Sequence, residues 1–212
     1  MLRPIGSPLP LGLLALMCAG VLLSLQQIGA FALGQWHTIA LVLIAFVVPL
    51  QLLASVLSFL GRDTVAGTAL GLLAGAWLAT ALVTLSGPPG TRSPALGAFF
   101  LCLAASFLII VAGASFGKAG PAAVIVIAGA RFLVTGLYEL LGDTGLEHAA
   151  AIVGFVLAGT ALYAALATEI EDVRGAIKLP FGRRARARDA LEGNFERQLA
   201  GIEHEAGVRQ QL

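Results

Sequence analysis

Charged residues are scarce in this chain of 212 residues, and their scarcity excludes an ordinary soluble domain. Only 12% of the residues are Asp, Glu, Lys or Arg, whereas a soluble domain carries roughly 25%. Hydrophobic residues make up 58% of the sequence, and the mean hydropathy is +0.91. This composition predicts an integral membrane protein.

Basic residues are also few outside the C-terminal part. Eight of the 13 Lys and Arg residues follow Thr168, and the first 168 residues are nearly free of charge. The net charge of +1 gives no reason to expect a nucleic-acid partner, and no nucleic-acid-binding motif is present.

Cysteine is limited to Cys18 and Cys102, which both fall within long apolar runs. Two thiols in lipid-buried helices favour packing roles over a disulfide, and no spacing suited to zinc exists. The sequence also lacks a Ser/His/Asp set, paired catalytic carboxylates and a phosphate-binding loop. We therefore predict no catalytic residue, no enzyme activity, no bound metal and no cofactor.

What the sequence has in abundance is long apolar runs. A window of about 19 residues marks six of them, which are residues 10–32, 38–60, 64–85, 95–116, 121–141 and 149–168. Segments of this length in lipid must be helices, because open strands leave their backbone groups unsatisfied. We predict an all-α bundle of six transmembrane helices over residues 1–168 and a soluble tail over residues 169–212.

The few charges predict the orientation of the bundle. With six spans both termini lie on one side, which collects Arg3, Arg62, Lys118 and the basic residues of the tail, while the other side has only Arg92. The positive-inside rule then makes both termini cytoplasmic. We predict a multi-pass protein of a plasma membrane of the bacterial, inner-membrane type.

The tail combines a basic run with an amphipathic segment. The basic residues are Arg183, Arg184, Arg186 and Arg188. They suit anionic lipid headgroups, at about 1 kcal/mol for each basic residue near the surface. Apolar residues then recur at helical spacing through residues 191–202. The tail is expected to lie on the membrane, or to pack under neighbouring protomers.

Polar residues inside the apolar runs are the best sequence evidence on function. Arg131 lies ten residues from each end of the fifth run, where a charge costs roughly 2.5–3.5 kcal/mol to insert. Two roles are open to it: a pore group that attracts anions, or a structural group that binds carbonyls. The amides Gln26, Gln27 and Gln51 suit either a hydrated path or hydrogen bonds between helices.

Two stretches resemble motifs of the acetate uptake transporter family, the succinate–acetate permeases. Residues 7–13, SPLPLGL, resemble the entrance motif Asn-Pro-Ala-Pro-Leu-Gly-Leu, with Ser7 in place of Asn and with Pro8, Pro10 and Gly12 retained. Residues 171–182, EDVRGAIKLPFG, resemble the end of the family's last span. The two motifs flank six spans, so the resemblance covers nearly the whole chain at low identity.

The resemblance implies a hexamer in which each six-helix protomer has its own path for acetate and similar small carboxylates, with protons. The family narrows that path with an apolar ring, which corresponds here to Leu16, Leu73 and Phe132. The ring's tyrosine is replaced by Leu73, and the family's His-Asn pair corresponds to Gln26-Gln27. Arg131 has no counterpart in the family pattern.

Three functional hypotheses follow. The first is a channel or transporter for small monocarboxylates, because an apolar ring beside the cationic Arg131 would dewet the path yet favour an anion. The second is a channel for small neutral solutes such as urea or short amides, which the three glutamines favour. The third is a membrane scaffold that transports nothing and binds a partner through its tail.

Overall fold

Six long helices make up the described part of the chain, which is residues 6–114, 119–174 and 179 of the computed structural model. Their bounds are α1 Leu9–Gln27, α2 Gln35–Leu60, α3 Thr64–Ser86, α4 Pro94–Ala114, α5 Ala119–Leu141 and α6 Thr144–Arg174. Each is long and apolar enough to cross a membrane, and no strand occurs among the described residues. The predicted all-α, six-helix class is confirmed.

Two helices differ from the predicted apolar runs by five residues or more, for reasons that lie in their ends. α1 ends at Gln27, five residues before its run does, because Gly29 adopts a φ of 71° that stops the helix. α6 begins at Thr144, five residues before its run does, because the carboxylate of Asp143 accepts a hydrogen bond from the first turn. The same helix continues through Arg174, so residues 169–174 are helical.

α2 contains a π-helical stretch at its centre, over Leu43–Val47. Pro49 follows two residues later, has no N–H to donate, and has a ring that crowds the carbonyl one turn earlier. A widened turn relieves that crowding, and such turns recur at functional sites. The helix then continues without a break and buries Gln51 completely.

Small residues set the closest approaches between helices. Gly97 on α4 faces Gly136 on α5, and a Cβ at Gly97 would lie 2.9 Å from the Gly136 carbonyl oxygen. Gly20 on α1 likewise faces Ala158 on α6, where a Cβ would meet the Ala158 methyl at 3.2 Å. Helices in lipid associate through such close backbone contact, because hydrophobicity gives them no reason to pair.

The outer surface of the bundle is apolar. Large side chains face outward on every helix, and Leu108, Ile109 and Ile152 are more than 60% exposed. A water-soluble monomer rarely exposes contiguous apolar surface on this scale. The surface therefore fits a lipid environment or contacts between protomers.

Both described ends of the chain lie at one end of the bundle. The Ser7 backbone N–H donates a hydrogen bond to Asp172 Oδ2 at 3.0 Å and so joins the start of α1 to the end of α6. We call this the proximal end. The opposite, distal end is where α1, α3 and α5 finish and where the loop of residues 87–93 lies.

Candidate functional site

A vestibule opens at the distal end of the bundle. The space between its walls is about 820 Å³ when the solvent at its open mouth is counted, and residues from all six helices and from the 87–93 loop line it. The predicted path residues Gln26, Gln27, Arg131 and Phe132 are all in its wall. Leu16, Leu73 and Gln51 are not.

The floor of the vestibule is aromatic. Phe132 is only 2% exposed, and its ring centroid lies 5.5 Å from those of Trp77 and Phe100. Phe107 stacks on Phe132 from below, at 5.6 Å and an interplanar angle of 4°. Offset and stacked ring pairs of this kind each add about 0.5–1.5 kcal/mol beyond the burial of their area. The floor is thus a closely packed aromatic layer between the vestibule and the rest of the bundle.

Phe100 and Phe107 were not identified from the sequence as site residues. They lie seven residues apart on α4, with buried Leu103 between them and Ile110 one turn further on. This spacing places them on one face of a helix. The pattern predicts a buried face, but α4 is so hydrophobic throughout that the sequence does not distinguish this face from the lipid-facing one.

Arg131 is at the base of the vestibule and is 3% exposed. Its guanidinium donates to Ser24 Oγ at 3.3 Å, to Gln27 Oε1 at 3.0 Å and to the Ala150 carbonyl oxygen. These acceptors belong to α1 and α6, so the side chain bridges three helices. All three are neutral, and no carboxylate contacts Arg131 among the described residues.

Gly154 on α6 provides the space that the Arg131 guanidinium fills. A Cβ built at Gly154 would overlap both the guanidinium and the Ser24 hydroxyl. Only a residue without a side chain fits at this point, because the guanidinium lies directly against the α6 backbone. Gly154 is therefore part of the site and not merely a contact between helices.

The three predicted glutamines divide between two places. Gln26 and Gln27 line the vestibule, and the side-chain Oε1 of Gln27 already accepts a hydrogen bond from Arg131. Gln51 lies elsewhere, fully buried in α2, where its Nε2 donates to the Gly12 carbonyl oxygen at 3.2 Å. Gln51 thus joins α2 to the entrance motif on α1.

The entrance motif lies at the proximal end and lines no part of the vestibule. Pro8 precedes α1 and Pro10 lies in its first turn, where a missing N–H breaks no helical hydrogen bond. Gly12 packs so closely that a Cβ there would lie 2.7 Å from the Leu70 side chain on α3. Ser7 ties the motif to α6 through its backbone N–H. In this structure the motif anchors the start of α1 against three other helices.

The three residues of the predicted constriction are buried in one hydrophobic core. Leu16 is 0% exposed, and Leu73 is 3% exposed. Leu73 lies one helical turn below the floor residue Trp77, on the proximal side, and Phe132 is in the floor itself. Their role as a constriction stays a prediction.

The mouth of the vestibule is polar and is held by the 87–93 loop. Glu139 on α5 accepts a hydrogen bond from the Ser93 N–H at 2.7 Å. The Arg92 guanidinium lies over Gly142, whose φ of 72° turns the chain between α5 and α6.

In the described part of the chain, no cluster of three or more His, Cys, Asp or Glu could hold a metal ion, and Cys18 and Cys102 carry free thiols.

Fold and site together define a six-helix membrane bundle with a vestibule that has a buried cation at its base and ends on an aromatic floor. A comparison with solved structures identifies the same fold in a protein described as the bacterial acetate channel SatP. The TM-score is 0.74 at 23% sequence identity, over 84% of this chain and 99% of that one. No protein-family model and no curated protein matches the chain. At this identity the likeness shows the fold, and function has to come from the site.

Proposed function

We propose that this chain is a membrane channel or transporter for acetate and similar small monocarboxylates, with a path in each protomer, and a divergent member of the acetate uptake transporter family. The buried cation at the base of the vestibule carries the proposal. Arg131 is held by neutral groups alone in the described structure, so its positive charge is available to an anion. The fold shared with an acetate channel supports the same assignment.

The surroundings of Arg131 favour a small anion that has an apolar part. Arg131 is followed directly by Phe132 in the chain, and both residues line the vestibule. A carboxylate would face the guanidinium while its methyl group lies on the aromatic floor. Apolar constrictions exclude water by dewetting, and a fixed charge beside one sets the sign of the permeating ion. Acetate and its short homologues combine both properties.

Neutral solutes are less well supported. Of the three glutamines that favoured urea or short amides, Gln51 lies outside the vestibule, and the side-chain Oε1 of Gln27 accepts a hydrogen bond from Arg131. Gln26 remains the one predicted amide of the vestibule wall that makes no hydrogen bond to Arg131. The hypothesis of a scaffold that binds a partner through its tail concerns mainly residues 180–212, which lie outside the described residues.

The remaining expectations belong to the same proposal. We propose that protomers assemble as a hexamer and that both termini are cytoplasmic in an inner membrane. The basic tail would bind anionic lipid headgroups, and acetate would pass with protons. The exposed apolar helix faces suit contacts between protomers as well as lipid. Native mass spectrometry from detergent tests the hexamer, and a mass other than six protomers contradicts it.

The proposed constriction at Leu16, Leu73 and Phe132 is tested by a substitution that widens it. Leu73→Ala removes a buried side chain beside the proposed path, whereas Leu82→Ala removes a 53% exposed side chain from the same helix. In liposomes, Leu73→Ala is expected to raise butyrate uptake relative to acetate uptake, and Leu82→Ala to leave the ratio unchanged. A buried Leu→Ala costs about 2–5 kcal/mol, so each variant is first checked for a single peak in size-exclusion chromatography.

Two results would contradict the proposed function. Wild-type liposomes that are no more permeable to acetate than protein-free ones would exclude transport. An unchanged uptake ratio in folded Leu73→Ala would exclude the ring as the constriction, even if acetate passes. Arg131→Ala should lower acetate uptake, because the path would lose its only buried cation among the described residues.

A further inference from the structure

Arg131 has no counter-ion in the described structure, although it is almost completely buried. A buried charge is normally paired, because removing it from water costs several kcal/mol. Here the guanidinium has only neutral acceptors, which are one serine hydroxyl, one amide oxygen and one backbone carbonyl. These acceptors engage three of its five N–H donors and leave two without a described protein acceptor.

Other unsatisfied donors belong to the same vestibule. Among the described residues, three buried side-chain donors have no hydrogen-bond partner: Trp36 Nε1, Trp77 Nε1 and Thr135 Oγ1. All three residues line the vestibule. A buried donor without a partner costs about 1–3 kcal/mol, and such groups are rare in native structures. Trp77 is part of the floor and Thr135 is on the same helix as Arg131, so these two donors indicate that a bound group normally accepts hydrogen bonds near Arg131. Trp36 lies at the start of α2 and is not assigned to that group.

The donors near Arg131 also indicate which charge that group has. Trp77 is 2% exposed and adjoins Phe132 in the floor, while Thr135 follows Arg131 by one helical turn on α5. A guanidinium, an indole N–H and a hydroxyl can all donate, and the indole cannot accept. An acceptor with two oxygens and a negative charge satisfies them together. A cation or a pure donor does not.

We propose that a small monocarboxylate binds at the base of the vestibule as the counter-ion of Arg131, with hydrogen bonds from Trp77 Nε1 and Thr135 Oγ1. The inference deepens the proposed function, on which it rests for the choice of carboxylate, by assigning the donors that recognise the solute. Chloride shares the charge but offers no pair of oxygens and no apolar part. The site therefore prefers acetate to chloride.

Binding can be measured without transport, because the only two tryptophans of the chain, Trp36 and Trp77, both line the vestibule. Trp36→Phe leaves Trp77 as the single tryptophan, which can be excited selectively over tyrosine. In detergent, at constant ionic strength, acetate is expected to change the Trp77 emission and to saturate. Acetamide, which has the same shape without the charge, is expected to give no saturable change. Chloride is expected to compete only weakly with acetate.

Three further substitutions in the Trp36→Phe background distinguish the proposed site from the rest of the vestibule. Thr135→Val removes the unpartnered hydroxyl and should weaken acetate binding roughly tenfold, because a hydrogen bond to a charged group is lost. Thr84→Val is the matched control, because Thr84 also lines the vestibule but already donates to the Thr80 carbonyl oxygen at 2.8 Å. It should change the affinity by less than about twofold. Arg131→Met should abolish binding.

These measurements can overturn the proposed binding site and the proposed function separately. Equal responses to acetate and acetamide, equal effects of Thr135→Val and Thr84→Val, or chloride binding that acetate does not displace would each overturn the site. Should Arg131→Met not fold, the comparison of the two threonines still decides. Saturable acetate binding without acetate flux would overturn the proposed function alone. Acetate flux without saturable binding would overturn this inference alone.

Discussion

Gly154→Ala is the most direct test of how Arg131 is held. The single added methyl group would overlap the guanidinium and the Ser24 hydroxyl, which lie against the α6 backbone at this point. Arg131 is also bound to α1 through the Gln27 side chain and to α6 through the Ala150 carbonyl, so any movement of the guanidinium away from Gly154 strains or breaks these hydrogen bonds. The substitution must displace either the guanidinium or α6.

Gly159→Ala provides the matched control for the size of the effect. Gly159 is on the same helix, and a Cβ there would meet nothing within 4 Å. Both substitutions gain about 0.8–1.0 kcal/mol of helix propensity. Only Gly154→Ala also incurs overpacking, which costs about 1–3 kcal/mol. The difference between the two variants isolates this cost and corresponds to roughly 2–12 °C in Tm for a chain of this length.

Thermal unfolding in detergent and acetate uptake in liposomes measure the two consequences. Gly154→Ala is expected to unfold at a lower temperature than Gly159→Ala. It is also expected to lose most of its acetate uptake, because the displaced guanidinium no longer lies at the vestibule base. A Gly154→Ala protein with the Tm and the uptake rate of Gly159→Ala would refute this account of the Arg131 environment.

Three other substitutions test the packing of the bundle by thermal unfolding. Gly97→Ala should be about 1–3 kcal/mol less stable than its control Gly75→Ala, because the Cβ at Gly97 would press on a backbone carbonyl of α5 at 2.9 Å, whereas the Cβ at Gly75 would meet nothing within 4 Å. Equal Tm values for the two variants would contradict the close α4–α5 contact. Asp63→Ala should cost about 1 kcal/mol, because its carboxylate caps the first turn of α3, and an unchanged Tm would show that the cap contributes no stability. Phe107→Ala should lower the free energy of unfolding by about 3–5 kcal/mol and loosen the floor, because it removes the ring stacked on Phe132. A decrease of less than about 1 kcal/mol would mean that the stacked ring does not support the floor.

The sequence is a good guide to this fold for a physical reason. A helix that crosses lipid must be long and apolar, so its length and composition appear directly in the sequence. The ends of the helices were harder to predict from the sequence. Gly29 stops α1 early through its backbone conformation, and Asp143 starts α6 early through its side chain. Both effects depend on single residues that a hydropathy window averages out.

The site could be predicted only in part. Arg131 is conspicuous because a charge in the middle of an apolar run is costly. Its acceptor Ser24, by contrast, is 107 residues away along the chain and belongs to α1. Gly154 is one of 26 glycines, and nothing local distinguishes it from those that pack helices. Partners of this kind are brought together only by the packing of α1, α5 and α6.

The central claim is that the vestibule admits small carboxylates because of their charge. Its most direct test compares acetate and acetamide in the same wild-type proteoliposomes, since the two solutes differ in charge but hardly in size. The account predicts that the protein accelerates entry of acetate far more than entry of acetamide, relative to protein-free liposomes. Equal acceleration of both, or faster entry of acetamide, would contradict it.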